Sequence, residues 1–304
     1  MSNAPRDHHY TPQFYLRNFA IDPDQRKITT VAKHGHVAVW RKRSIKSIGY
    51  ERDLYIHSHF GVPVSVETTI SKRIETPISQ SDTWAKITSG RTDALNLTDK
   101  PILYSLIRHL EVRTPHYLAG MRELERLAFD PNSGMQFSAE ERLHYAMQRA
   151  MTGATEAQFN AMSASLAWTE DTYRGAGLSI HRSPIPLRTT TTPVLVVPAP
   201  HHPAPNLPLP GLIPVSYFVS LNRYTLASLT LGAFDGDAFM NTEIDATVAR
   251  GINRRYAAQF AYFDNVRHLI ADSGDELMAD MTWAPYDVIE QDERTIRFRR
   301  RDGE

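Results

Sequence analysis

The sequence contains no cysteine, which excludes disulfides, thiolate zinc sites and cysteine nucleophiles together. Any metal must therefore be held by His, Asp, Glu or carbonyl groups. Neither sign of charge is in excess, since Lys plus Arg equals Asp plus Glu at 34 each, so the molecule as a whole lacks the positive field that drives non-specific nucleic-acid binding. No apolar run approaches the roughly 18 residues a membrane-spanning helix needs, and no membrane partner is expected. The first residues carry charge and proline where a secretory peptide needs an apolar core of about 7 to 15 residues, so cytoplasmic residence is the expectation. A phosphate-binding glycine loop, a GxGxxG turn after a strand, an HExxH helix and a GxSxG elbow are all missing. Their absence excludes the common nucleotide-binding, metalloprotease and esterase designs.

What is present is a globular composition, 41% hydrophobic and 22% charged over 304 residues, enough to bury a sizeable core. Thr11-Pro12 has the form of a helix start, a capping hydroxyl followed by proline at the first helical position, and predicts a short buried helix over 13–19. Alternation over 27–32 and 37–41 around His34-Gly35 predicts a hairpin, with a third strand over 54–57, together a small N-terminal antiparallel sheet. Val66, Ile70, Ile74 and Ile78 recur at helical spacing as far as a kink or stop at Pro77. A long helix follows over 98–129, capped by Thr98 or Asp99 and kinked at Pro115. Ser138 and Glu141 form a capping box ahead of a third helix to about Met151. Beyond it, 178 onward reads as strand, and VLVV between Pro193 and Pro198 reads as a buried central strand. The segment 198–214 holds seven prolines and reads as an extended surface loop. A strand pair around Asn222-Arg223 and a final helix, capped by Asp237 or Asn241 and running to about Ile270, complete the pattern. The fold class expected is α+β: a small N-terminal antiparallel sheet, a helical middle, and C-terminal strands closed by a long helix, all within one integrated domain over 1–304.

The densest chemistry lies in His8-His9-Tyr10-Thr11-Pro12-Gln13. Two imidazoles beside an amide at a helix start can bind a divalent metal or an anion, or act as a base. Adjacent residues on a strand face opposite ways, so the competing reading is that one of the two packs or caps. Glu67, Ser71 and Glu75 share a helical face, but Glu67 and Glu75 lie about 12 Å apart along a straight axis, too far for one metal's ligand shell. His109 and Arg113 share another face, and Arg108 lies nearby. Arg113 can grip a phosphate or carboxylate, or satisfy carbonyls freed by the Pro115 kink. His8, His9, Gln13, Glu67 and Arg113 are therefore the candidate catalytic set, with His8 and His9 as candidate metal ligands. The pairs His34/His36 and His57/His59 have strand spacing for metal ligation but border turns. His201-His202 reads as surface. Two basic runs, Arg41-Lys42-Arg43 with Lys46 and Arg294 to Arg301, are local patches that a nucleic acid can contact, although short charge runs are more often solvated faces.

HHYTPQFYLRNFA resembles the opening of the uncharacterised bacterial domain of unknown function family 4238. Tyr55 after Glu51-Arg52-Asp53, Glu67 and Glu75 in VETTISKRIE, Arg113-Thr114-Pro115 and Asn253 fit the same resemblance. It implies no agreed activity. Members often read Thr-Ser-Asp-Asn-Pro where this chain reads Thr189-Thr190-Thr191-Thr192-Pro193. If the acid is a base or ligand in relatives, Thr191 cannot replace it, because a hydroxyl carries no usable charge near neutral pH; if it only shapes a turn, threonine can partly imitate it. Two functions are expected from these residues: a metal-assisted hydrolase acting on phosphodiester or nucleic-acid substrates, or a non-catalytic binding or interaction module.

Overall fold

Alternation at 27–41 produces the hairpin β2 (Lys27–His34) and β3 (Val37–Ser44), turned by Gly35 at φ +62°, a left-handed conformation open to glycine at no steric cost. The computed structural model describes residues 7–22, 24–35, 37–59, 62–65, 67–130, 132, 138–140, 142–143, 175–198, 215–231, 238–271, 286–291 and 296–301. The chain is α+β, with mixed helices and several sheets. The N-terminal hairpin, however, is not a small sheet of its own. It is the middle of a six-stranded sheet, completed by β8 (Thr189–Thr190), β13 (His268–Ile270), β14 (Tyr286–Gln291) and β15 (Ile296–Arg300) in the order β14-β15-β3-β2-β13-β8. Short-range patterning cannot reveal partners supplied by the far end of the chain. Two short antiparallel pairs lie beside it. β1 (Asp7–His9) pairs β4 (Tyr50–Arg52), and β5 (Ile56–His59) pairs β6 (Val62–Ser65), so the strand expected at 54 begins only at Ile56.

The second sheet has five strands: β7 (Ala176–Arg182), β9 (Val194–Pro198), β10 (Val215–Asn222), β11 (Thr225–Leu231) and β12 (Ala238–Glu243), in the order β12-β7-β11-β10-β9. The hairpin around Asn222-Arg223 is present as expected. The VLVV strand is at the edge of this sheet, not its centre. Val194 and Leu195 are buried while Val196 is 54% exposed, and the flanking prolines suit an edge, where a missing N–H costs no ladder bond. The closing helix is also shorter than expected and is not last. α7 (Ala246–Tyr262) is capped by Asp245, whose side chain accepts from Val248 N–H at 2.8 Å, and the chain then returns as β13.

The helices of the first half are α1 (Gln13–Leu16), which continues as a 3-10 turn Arg17–Phe19, α2 (Glu67–Ile70), α3 (Thr76–Ser79), α4 (Asp82–Thr88), α5 (Lys100–Val112) and α6 (Pro115–Phe129). One core joins α1, α2 to α5 and the five-stranded sheet through Tyr15, Ile70, Ile74, Leu103, Leu106, Val219 and Leu229. A second core sets Tyr256 and Phe260 of α7 against Val31, Leu269 and Phe298 of the six-stranded sheet. The helix expected over 98–129 is two helices. Pro115 holds Thr114 in an extended conformation, ψ 151°, and the Thr114 hydroxyl accepts from Tyr117 N–H at 3.2 Å to cap α6. A reciprocal Asn96–Asp99 capping box closes the 3-10 turn Leu97–Asp99 that leads into α5, whose own cap position, Asp99, makes no side-chain cap bond. The proposed helix from Ser138 to Met151 and the proline segment 198–214 lie almost entirely outside the described residues.

Candidate functional site

The opening motif is held by an unusually close backbone approach. Gly49, at φ +65°, accepts Thr11 N–H at its carbonyl at 3.0 Å, and a Cβ there would stand 2.8 Å from Thr11 Cβ and Oγ1. Thr11 is not the helix cap the sequence suggested. Its hydroxyl donates to the Thr191 carbonyl at 2.7 Å, and Pro12 occupies the cap position without a side-chain bond. Tyr15 then ties the motif to both sheets, its hydroxyl donating to the Ser220 carbonyl at 2.7 Å and lying 2.9 Å from Thr189 Oγ1.

On β1 the two imidazoles face opposite ways, as strand geometry requires. His8 has no exposure, stacks on Tyr55 with ring centroids 5.6 Å apart, and accepts Tyr55 N–H at Nδ1 at 2.8 Å. Its Nε2 faces Ser65 Oγ at 3.4 Å. Asp53 makes this possible by taking φ +59° in the turn that aims the Tyr55 N–H back at β1. His9 is half-buried on the other face, against Tyr50 and 3.2 Å from the Gln13 amide. Burial lowers its affinity for a proton, a hydrogen bond to the Lys46 carbonyl opposes that, and the Arg113 charge adds to the lowering.

The deepest feature is Arg113, a guanidinium with no exposure. Its Nη2 donates to both Glu67 oxygens at 3.1 and 3.2 Å. Nη1 donates to Glu75 Oε1 and lies 3.3 Å from His109 Nε2. Nε donates to the Tyr55 hydroxyl at 3.2 Å, while that hydroxyl donates to the Arg113 carbonyl at 2.6 Å. The two glutamates reach one cation because the helix carrying them is not straight. Residues Ser71–Glu75 form a π-helical turn, with Thr76 N–H bonded to the Ser71 carbonyl. Pro77 explains the widening: it has no N–H for the Arg73 carbonyl four residues back, and its ring crowds that carbonyl. π turns of this kind are common at functional sites. Arg108 is kept apart from the cluster by its own ion pair with Glu111 and by the Tyr217 ring, 4.9 Å away.

Electrostatically the cluster sets two carboxylates against one guanidinium. His109 does not restore the balance, since burial pushes its pKa down to about 4 and leaves it neutral at pH 7. Burial likewise raises the Tyr55 phenol, and the Arg113 charge only partly offsets this, so Tyr55 remains a neutral donor. Glu67 and Glu75 keep 16% exposure and form the solvent-facing edge. A carboxylate edge with a surplus negative charge, backed by a fixed cation and a neutral imidazole, can accept a proton or hold a hydrated cation.

Of the candidate residues, Glu67, Glu75, His109 and Arg113 meet directly, and His8 joins them through Tyr55 and Ser65. His9 and Gln13 form a separate pair. Tyr55 was marked in the sequence only by the family resemblance, which gave it no role as a hub, and Ser65 carried no advance signal. Among the described residues no three His, Asp or Glu side chains are grouped to hold a metal. His36, the side chains of His57 and His59, and His201-His202 lie outside the described residues. The threonine run is buried and structural: Thr190 Oγ1 bonds the Thr192 carbonyl and Gln259 at 2.7 Å each, and Thr191 Oγ1 accepts His268 N–H at 3.3 Å. Asn253 is structural too, bracing Arg188 N–H and the Pro186 carbonyl at 2.8 and 2.9 Å. The two basic runs lie on neighbouring strands but not side by side, because β15 pairs β3 with Arg297 opposite Val39 and Arg299 opposite Val37, so that Arg41 to Arg43 continue beyond the end of this ladder.

No curated protein and no solved structure matches this chain. A family model described as "Protein of unknown function (DUF4238)" matches residues 7–183, from the strand bearing His8 and His9 to the end of β7. The match spans more than half of the chain and includes every residue of the Arg113 cluster, and the chain belongs to that family of unknown function.

Proposed function

We propose that the protein is a hydrolase acting on phosphodiesters, with nucleic acids as the substrate class, and that Glu67, Glu75 and Arg113 form its reaction centre. The observation that carries this reading is the convergence of two partly exposed carboxylates on one buried guanidinium through a π turn. A magnesium-type cation keeps most of its water and needs only one or two carboxylates beside the substrate's phosphate oxygens. Glu67 and Glu75 are a fitting pair for it, which turns the reading from a tightly held ion on His8 and His9 to a loosely held one on the glutamates. One carboxylate takes the proton of the attacking water, the water oxygen bonds to phosphorus, the phosphorus–alkoxide bond breaks, and the leaving oxygen is reprotonated from solvent. Arg113, buried with its N–H groups engaged, acts through its charge: it fixes the two carboxylates and offsets part of the negative charge that builds at the reacting phosphoryl group. The nucleic-acid class draws support from exposed basic residues on neighbouring strands, Arg41 and Lys42 on β3 and Arg297 and Arg299 on β15.

The test is hydrolysis of single-stranded RNA, single-stranded DNA and a bis-aryl phosphate by the full chain, with magnesium or manganese and with chelator. Metal-dependent cleavage that falls by about a hundredfold or more in Glu67→Gln, with melting temperature retained, is the expected result. Cleavage that survives Glu67→Gln undiminished, or no cleavage of any of the three, overturns it. The other reading, a non-catalytic binding module, draws on a different part of the molecule, an arginine-lined cavity beside the opening helix.

A further inference from the structure

That cavity has a volume of about 600 Å³, within the usual range for a small-molecule site. It lies where the second half of the opening motif meets the tip of the β10–β11 hairpin. Arg17, Arg182 and Arg223 line it, and among the described residues the only acid in its wall is Asp22. In a chain with no net charge, three guanidiniums against one carboxylate in a concave surface is a local arrangement, and concavity concentrates its field. The Asp22 carboxylate is already engaged in closing its own turn, accepting Arg26 and Lys27 N–H at 2.9 and 2.7 Å. Arg182 pairs with Glu243 outside the cavity at 2.9 Å, but both side chains are about half exposed or more, 48% and 73%, and such a pair is weak and exchangeable. Among the described lining residues guanidiniums outnumber carboxylates three to one, a wall suited to a phosphate.

The wall is rigid. Asn18 Nδ2 donates to the Leu221 carbonyl at 2.9 Å and Arg223 Nη2 to the Phe19 carbonyl at 3.4 Å, which clip the opening helix to the hairpin. The hairpin tip is fixed in turn: Tyr224 N–H donates to Asn222 Oδ1 at 2.8 Å, and Ser183 N–H donates to the Tyr224 carbonyl at 2.9 Å. Tyr224 is nevertheless 52% exposed. An aromatic ring kept in solvent on a rigid backbone, next to three guanidiniums, is an arrangement that stacks a nucleobase while arginine holds the phosphate.

We infer that this cavity is a binding site for a nucleoside phosphate, with the phosphate on Arg17 and Arg223 and the base on Tyr224. The site is separate from the Arg113 cluster and does not depend on the hydrolase reading. Isothermal titration of the full chain with adenosine 5′-monophosphate, inorganic phosphate and adenosine tests it, alongside Arg17→Glu, Tyr224→Ala and Glu67→Gln. Arg17 and Tyr224 are exposed, so both substitutions leave the melting temperature unchanged. The monophosphate binds more tightly than phosphate or adenosine alone, Arg17→Glu weakens it by about tenfold or more, Tyr224→Ala weakens it but leaves phosphate binding as it was, and Glu67→Gln changes neither. No binding at millimolar concentration, binding no tighter than that of phosphate, or binding indifferent to both Arg17→Glu and Tyr224→Ala overturns the inference.

Discussion

At the scale of single residues, the buried cluster makes a statement about pH. His109 has no exposure and holds its proton only below about pH 4, whereas an unfolded histidine titrates near 6.5. Between those values the unfolded chain binds more protons than the folded one, so stability rises with pH across that window. It is complete above about 6.5 and is lost as pH falls toward 4. The loss attributable to this imidazole is on the order of 3 kcal/mol. His268, lowered to about 3 by burial and by the Arg43, Arg267 and His34 charges, acts in the same direction, so the test is a difference. Urea unfolding of wild type and His109→Gln at pH 7 and pH 4.5 shows the wild type losing more stability between the two; equal losses would refute the assignment. The geometry of this cluster was only half legible in the sequence. The shared face of His109 and Arg113 follows from helical spacing, but burial of Arg113 beneath two acids depends on which helices pack together.

At the scale of elements, local rules located most strands and helix starts and missed what long-range pairing decides. The β2–β3 and β10–β11 hairpins have their turn residues adjacent in sequence. The six-stranded sheet and the return of the chain as β13 depend on partners more than a hundred residues away, and the edge position of β9 depends on how the later strands order themselves around β10. The π turn was hidden for a different reason. The spacing of Ile70, Ile74 and Ile78 fits a straight helix, and only the missing N–H of Pro77 hints that the ladder must shift. If the turn exists to bring Glu67 and Glu75 onto one cation, removing one residue from it will separate them. Deletion of Lys72, whose side chain is exposed, returns the segment to α-helical register and rotates everything on one side of it by about 100°. The buried stripe and Arg113 cannot both keep their partners after that rotation. A loss of about 3 kcal/mol or more is expected, the cost of leaving a buried charge partly unpaired, together with loss of the proposed hydrolysis. A deletion variant as stable as wild type in urea would show that the π turn does not serve the cluster.

At the scale of the whole molecule, the family match and the folded unit do not coincide. The match ends at residue 183, one residue after β7, yet both sheet neighbours of β7 come later, β11 from Thr225 and β12 from Ala238. The same holds at the N-terminal side. β2 and β3 are flanked by β13 and β15, and the hydroxyls of Thr11 and Tyr15 in the opening motif find their partners at Thr191, Thr189 and Ser220. A fragment stopping at 183 would carry the entire Arg113 cluster while leaving three strands with open edges and the opening helix without its anchors, a state that invites edge-to-edge association. Our proposal is therefore that the chain is one integrated domain in which the later strands support a site built from the earlier residues. Calorimetry of the full chain should give a single transition whose van't Hoff and calorimetric enthalpies agree. A 7–183 fragment should fail to fold, giving an undispersed amide spectrum or aggregating. A fragment that folds with His8 and Arg113 in their native environments would divide the molecule in two and remove the support that the distant strands are assigned.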